Sequence, residues 1–361
     1  LVSQTEPAVA GLELRSLEPW IREHVASIQP PLRAELIAGG HSNLTYRITD
    51  ATGAKFVLRR PPLGNLPARA HDVVREARIM AALAATHVPV PKIEAICEAH
   101  EVIGAPFYLM RWVDGAIVDS PAGVERVWPT SAQRERAAES LIDALADLHS
   151  VNIDTVGLGH LGKREEYLLR QLERMQKVWQ KTKTRELPII ETLHARLSHA
   201  RPPQRYTGIV HSDYRLGNVI IGADEQVAAV LDWELCALGD VMVDLGFLIN
   251  NWDEPADSAP SIWMQEAPTR AGGFPSRADV VARYARKTGF EIADLDYYRA
   301  FAYWRIAIIG EGIKRRYETG ALGENRADIH AIDTRVRGRA ALADHFLSVW
   351  ESESRNPKAS T

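Results

Sequence analysis

Between Val210 and Glu234 the chain sets a loop and a tight hairpin crowded with oxygen-bearing side chains, and no other segment restricts the possible fold so much. It reads His211-Ser212-Asp213-Tyr214-Arg215-Leu216-Gly217-Asn218, then Val219-Ile220-Ile221, then Gly222-Ala223-Asp224-Glu225-Gln226, and then Val227 to Asp232-Trp233-Glu234. The apolar, β-branched runs 218–221 and 227–232 flank a polar turn, the pattern of a β-hairpin. With the turn centred near Glu225, Asn218 and Asp232 fall opposite each other. A carboxamide and a carboxylate at one end of a hairpin supply hard oxygen donors suited to magnesium, which takes few protein ligands and completes its shell with water and phosphate. Asp213, just before them, adds a carboxylate able to accept a proton from a hydroxyl nucleophile. The plain alternative is turn chemistry, since Asp and Asn in loops readily bond their own backbone.

Upstream, Ala34–Ile37 leads into Gly39-Gly40-His41-Ser42-Asn43, and Leu44–Ile48 resumes as a strand before a turn into Lys55–Arg60. Pro61 and Pro62 end that third strand. Apolar positions Val73, Ala77, Met80, Ala81 and Ala84 then recur at helical spacing, and two β-rich runs follow, 92–97 and 106–113. Five strands with one helix after the third predict a small antiparallel sheet. After Asp114 the texture turns helical, with helices expected over 131–149, 167–181, 191–199, 245–250, 277–288, 296–317 and 333–349 around the one hairpin.

The order of these elements, together with HSDYRLGN and LDWE, resembles the aminoglycoside phosphotransferase and choline kinase-like family of the protein-kinase-like fold. The resemblance covers about two-thirds of the chain. It implies an α+β, bilobal architecture: a nucleotide-binding lobe over residues 1–113, built on a five-stranded antiparallel sheet plus a helix, and a mostly helical catalytic and substrate-binding lobe over 114–361. It further implies ATP and Mg2+ as cofactors, transfer of the γ-phosphate to a hydroxyl of a small molecule, Asp213 as catalytic base, Asn218 and Asp232 as magnesium ligands, and His211 as an anchor of the loop. Asp232 stands where protein kinases carry Asp-Phe-Gly. Asp244, in Asp244-Leu245-Gly246, either braces the catalytic loop or caps the helix that follows.

In the small lobe the resemblance assigns Gly40, Ser42 and Asn43 to the loop over the phosphates. Kinases place a phosphate-binding lysine on the third strand; here Phe56-Val57-Leu58-Arg59-Arg60 offers arginines instead. The usual register selects Arg59, with Glu76 as its partner, and Arg60 remains the alternative. Arginine holds phosphate bidentately and stays charged, so the exchange is chemically permissible. Met110 and Trp112 mark the stretch beside which adenine lies. The departure at Arg59 also keeps open a pseudokinase or nucleotide-binding regulatory module. No GxxxxGK[ST] motif is present, which argues against a P-loop enzyme. No long activation segment ending in Ala-Pro-Glu follows Asp232, which argues against a protein kinase.

The acceptor is less legible. Asp253, with Glu254 and Asp257, offers carboxylates for a polycation, whereas Trp304 and Arg305 on the long helix suit an anionic or acyl-bearing compound. The segments GGHSNLTYRI, FVLRRPP, VPVPK and GAPFYLM resemble the phosphotransferase-like domains associated with acyl-CoA dehydrogenases, which implies a hydroxyacyl or other anionic hydroxyl compound as a rival to an antibiotic. A balance of 43 basic against 47 acidic residues disfavours a nucleic-acid or membrane-surface partner. Cys97 and Cys236 match no metal or disulfide spacing. With no leader or spanning segment apparent, the expectation is a cytoplasmic enzyme.

Overall fold

The computed structural model describes residues 10–38, 43–63, 72–257, 266–320 and 328–355. The chain divides into two compact units, one of residues 1–115 with 228–234, the other of 116–227 with 235–361.

The first unit is organised by a five-stranded antiparallel sheet of order β1-β2-β3-β5-β4. Its strands are β1 (Arg33–Ala38), β2 (Leu44–Thr49), β3 (Lys55–Arg60), β4 (Ile93–Cys97) and β5 (Phe107–Arg111). In β2 the side chains alternate, so Leu44, Tyr46 and Ile48 are buried while their neighbours lie nearer water. The β2–β3 turn is fixed by Asp50, whose Oδ1 accepts from the N–H groups of Thr52 (2.9 Å) and Ala54 (3.0 Å). Helix α2 (Val73–Leu83) follows β3, its N-cap Asp72 accepting from Arg75 N–H at 2.9 Å.

Helix α1 (Leu14–His24) has no counterpart in the sequence reading. Leu17 and Ile21, one turn apart, are wholly enclosed and join a core with Tyr46, Ile48, Phe56, Leu58, Phe107 and Leu109. Pro19 inside α1 and the charges around it hide that periodicity.

The second unit is mostly helical: α3 (Pro121–Val127), α4 (Ser131–His149), α5 (Tyr167–Thr182), α6 (Pro188–His199), α7 (Met242–Asn250), α8 (Arg277–Thr288), α9 (Leu295–Glu318) and α10 (Ile329–Arg355). Thr130 and Gln133 form a reciprocal capping box that starts α4 at Ser131. Helix α9 is enclosed on nearly every side from Tyr297 to Ile308, which explains why it lacks a clean polar face.

Strands β6 (Thr207–Val210) and β9 (Ala237–Asp240) pair antiparallel, Val210 opposite Ala237. The pairing delivers His211 from the end of β6 and α7 from the end of β9. Beyond a 3-10 turn at Leu216–Asn218 come β7 (Val219–Ile221) and, after the turn, β8 (Val227–Val230). The predicted strand start at Asn218 is thus one residue early. The polar turn is closed by Gly222 N–H donating to Gln226 O at 2.8 Å.

Candidate active site

The loop leaving β6 is held from beneath by one carboxylate. Asp244, in the first turn of α7, is fully buried; its Oδ2 accepts from His211 N–H at 2.6 Å and its Oδ1 from Ser212 N–H at 2.7 Å. His149 Nε2 lies 3.3 Å from the same carboxylate. Of the two readings of Asp244, the loop brace is the one its side chain performs. No side-chain cap bond is formed at the start of α7.

Ser212 occupies the left-handed region at φ 73°, a conformation an L-residue keeps only when its surroundings insist on it. Asp244 secures its N–H, and the guanidinium of Arg305 on α9 donates to its carbonyl. Its hydroxyl lies 3.4 Å from Tyr167 Oη at the start of α5. The Tyr167 ring in turn packs over Gly239, where an added Cβ would lie 2.2 Å from it.

Asp213 follows. Its N–H donates to His211 Nδ1 at 3.3 Å, and its carboxylate accepts from Asn218 Nδ2 at 2.7 Å. The same Asn218 nitrogen donates to Asp213 O at 2.8 Å, so the five-residue spacing closes as a small ring. Tyr214 anchors the loop, its buried hydroxyl donating to Leu141 O at 2.8 Å. Arg215 Nε lies 3.7 Å from Asp213 Oδ1. With its nitrogen committed, Asn218 has Oδ1 as the atom available to a cation.

In the first unit the structure brings Arg59, Glu76 and Asp232 together. Arg59 Nη1 is 2.9 Å from Glu76 Oε1, and Nη2 is 3.1 Å from Asp232 Oδ1. Glu76 is almost wholly enclosed, and burial pushes its carboxyl up to about 7 against the pull of Arg59, with Asp232 and Glu234 adding to the rise. Burial works against the Arg59 charge as well, but Glu76, Tyr108 and Asp232 outweigh it and raise its pKa further. Arg60 goes elsewhere: it is buried and donates from Nη1 to the carbonyls of Ile103 (2.9 Å) and Gly11, and from Nε to that of Pro61. Asp232 itself has φ 65°.

Gly40 and Ser42 lie outside the described residues. Asn43 is described, and among the described residues neither polar atom of its buried carboxamide has a hydrogen-bond partner. Met110 is buried in β5. Trp112, just beyond it, gives its backbone N–H to Lys55 O at 3.3 Å and its indole N–H to Asp114 at 3.1 Å.

Three residues read as acceptor contacts have other attachments. Trp304 is fully enclosed, its indole N–H on Ile190 O at 3.1 Å. Arg305 is buried against the Ser212 carbonyl and the Phe247 ring. Asp253 is buried, 3.7 Å from Arg270. The roles of Arg305 and Tyr167 as supports of the loop went unread, because each partner is distant in sequence.

The arrangement suits phosphate chemistry. Arg59 is flanked by two carboxylates, Glu76 and Asp232, and Glu234 acts on Glu76 as well, negative charge that a divalent cation would balance. Among the described residues no group of three or more His, Cys, Asp or Glu side chains forms a complete metal site by itself, and magnesium in phosphate sites needs no such cage.

Residues 33–301 match the model of the phosphotransferase enzyme family. The chain belongs to that family. It is 34% identical over 285 residues to mouse acyl-CoA dehydrogenase family member 10, covering 78% of this chain and 26% of that protein. Rat acyl-CoA dehydrogenase family member 11 is 30% identical over 316 residues, 85% of this chain and 40% of that one. The chain therefore spans between a quarter and two-fifths of these relatives. Among solved structures, a candidate aminoglycoside phosphotransferase from Ralstonia eutropha JMP134 is 33% identical, with a TM-score of 0.78 over 93% of this chain and 98% of that one. The fold is the kinase-like one of this family, and membership supports a small-molecule phosphotransferase. Among the described residues no helix is long and apolar enough to cross a membrane.

Proposed function

We propose that this phosphotransferase moves the γ-phosphate of ATP, with magnesium, to a hydroxyl of a small anionic molecule, a hydroxyacyl compound being the favoured class. The observation that carries the reading is the Asp213–Asn218 ring: one side chain fixes the carboxylate of the proposed base while keeping an oxygen for metal. Magnesium, when bound, would neutralise charge developing on the phosphates and align them for in-line transfer.

Asp213 accepts the proton of the acceptor hydroxyl. Asn218 Oδ1 and the Asp232 carboxylate are the proposed magnesium ligands, and Arg59 binds phosphate oxygens while Glu76 fixes its guanidinium plane. Asn43, whose buried carboxamide has no partner among the described residues, is the remaining proposed phosphate contact, together with Gly40 and Ser42. Backbone groups near Met110 and Trp112 take the adenine edge. His211 orients Asp213 through its backbone N–H.

Helix α5 supports the anionic acceptor. From Tyr167, beside Ser212, it carries Arg170, Arg174, Lys177 and Lys181 along an open groove of about 480 Å³, where Glu173 is the single acid. A polycationic aminoglycoside would meet repulsion there, and Asp253, the carboxylate read as its anchor, is already beside Arg270.

A second reading, a nucleotide-binding module without turnover, draws on arginine in place of lysine at Arg59. Measuring ADP release with magnesium, ATP and a panel of hydroxy acids, hydroxyacyl thioesters and aminoglycosides separates the two. Acceptor-dependent release with the anionic compounds supports the proposal. Nucleotide binding with no release across the panel contradicts it.

A further inference from the structure

Helices α9 and α10 enclose a partly closed cavity of about 70 Å³, lined by Ile306, Ile309, Gly310, Ile313, Ile332, Arg335 and Arg339. Arg335 and Arg339 are four residues apart on α10, so they share a face, and like charges at that spacing repel. Arg339 is 6% exposed, and among the described residues neither guanidinium has a hydrogen bond or ion-pair partner; Arg339 Nη2 is buried without one. An isolated buried cation is strongly disfavoured unless an anion accompanies it. The nearby acid, Asp333, is taken by Arg185 and Arg337.

We infer that this cavity binds the carboxylate of a short aliphatic acid, with Arg335 and Arg339 as the anion-binding pair and the four isoleucines around the alkyl body. The shape of the lining selects the ligand class. An inorganic oxoanion would leave most of its oxygens against isoleucine, whereas a carboxylate presents its charge at one end and hydrocarbon at the other. The volume admits a molecule of only a few non-hydrogen atoms. Gly310 keeps the floor open: an added Cβ would lie 3.3 Å from Arg339 Nη1 and 3.0 Å from Val336. Although burial and Arg335 lower the Arg339 pKa to about 10, it remains a cation at neutral pH.

The inference does not rest on the phosphotransfer reading, and its test does not use turnover. Thermal unfolding of the whole chain is followed while sodium propionate or butyrate is titrated against sodium chloride, sodium phosphate and neutral propionamide at matched ionic strength. The expected result is a saturable upward shift of the midpoint with the carboxylates only, abolished in Arg339→Met and moved to at least tenfold higher concentration in Arg335→Met. No saturable shift in the wild type, an equal shift with chloride or phosphate, or an unchanged titration in the variants overturns it. If Arg339→Met does not fold, the wild-type titration and Arg335→Met decide.

Discussion

Asp244 Oδ1 accepts the backbone N–H of Ser212 at 2.7 Å, and through that bond a residue on α7 holds a left-handed residue in the loop that carries Asp213. The same carboxylate takes His211 N–H, so its removal strands two buried donors at once. Asp244→Ala should lower stability by about 3–5 kcal/mol in urea denaturation. A loss under about 1 kcal/mol would mean that the loop holds itself.

Ser212 offers a complementary test of the backbone. Glycine accepts φ 73° without strain, so Ser212→Gly should stay within about 0.5 kcal/mol of the wild type. Ser212→Val, β-branched in the same conformation, should lose about 1–3 kcal/mol. Equal stabilities for the two variants would contradict the strain.

Arg59 and Arg60 are adjacent but attached to different things, and kinetics should separate them. Arg59→Ala should lower kcat/KM for ATP about 10²–10³-fold. Arg60→Met strands buried carbonyls instead, so it should cost about 1–3 kcal/mol of stability and leave the nucleotide KM unchanged. The reverse pattern would reassign the phosphate contact.

Burial pushes the Asp240 carboxyl up to about 6, against hydrogen bonds from the Tyr298 hydroxyl (2.7 Å) and Met242 N–H. The folded chain therefore holds this proton more tightly than the unfolded one. Its stabilising effect is complete below about pH 4 and is lost as pH rises through about 6. Relative to Asp240→Asn, the wild type should lose about 2–3 kcal/mol over that window in denaturant titrations. Parallel pH profiles would refute the assignment.

Legibility followed how local each cause is. The five strands and α2 were readable because the alternation in β2, the Pro61-Pro62 stop after β3 and the helical spacing of Val73, Ala77 and Met80 each lie within a few residues. The spacing from Asp213 to Asn218 was readable for the same reason. Helix α1 was obscured by Pro19, and β9 by Ala-Leu-Gly-Asp, which is a strand because β6 pairs with it rather than by propensity. Strand period alone gave no means of deciding between Arg59 and Arg60, since the carbonyls that take Arg60 come from Gly11 and Ile103. Trp304 and Arg305 looked available on a helix that proves to be enclosed on nearly every side.

The central claim concerns one carboxylate, and single-turnover transfer of phosphate from ATP to the best acceptor tests it most directly. Replacing Asp213 by Asn keeps the size of the side chain and removes its ability to take a proton. The expected rate falls about 10²–10⁴-fold while nucleotide binding persists. A rate equal to the wild type would contradict the account.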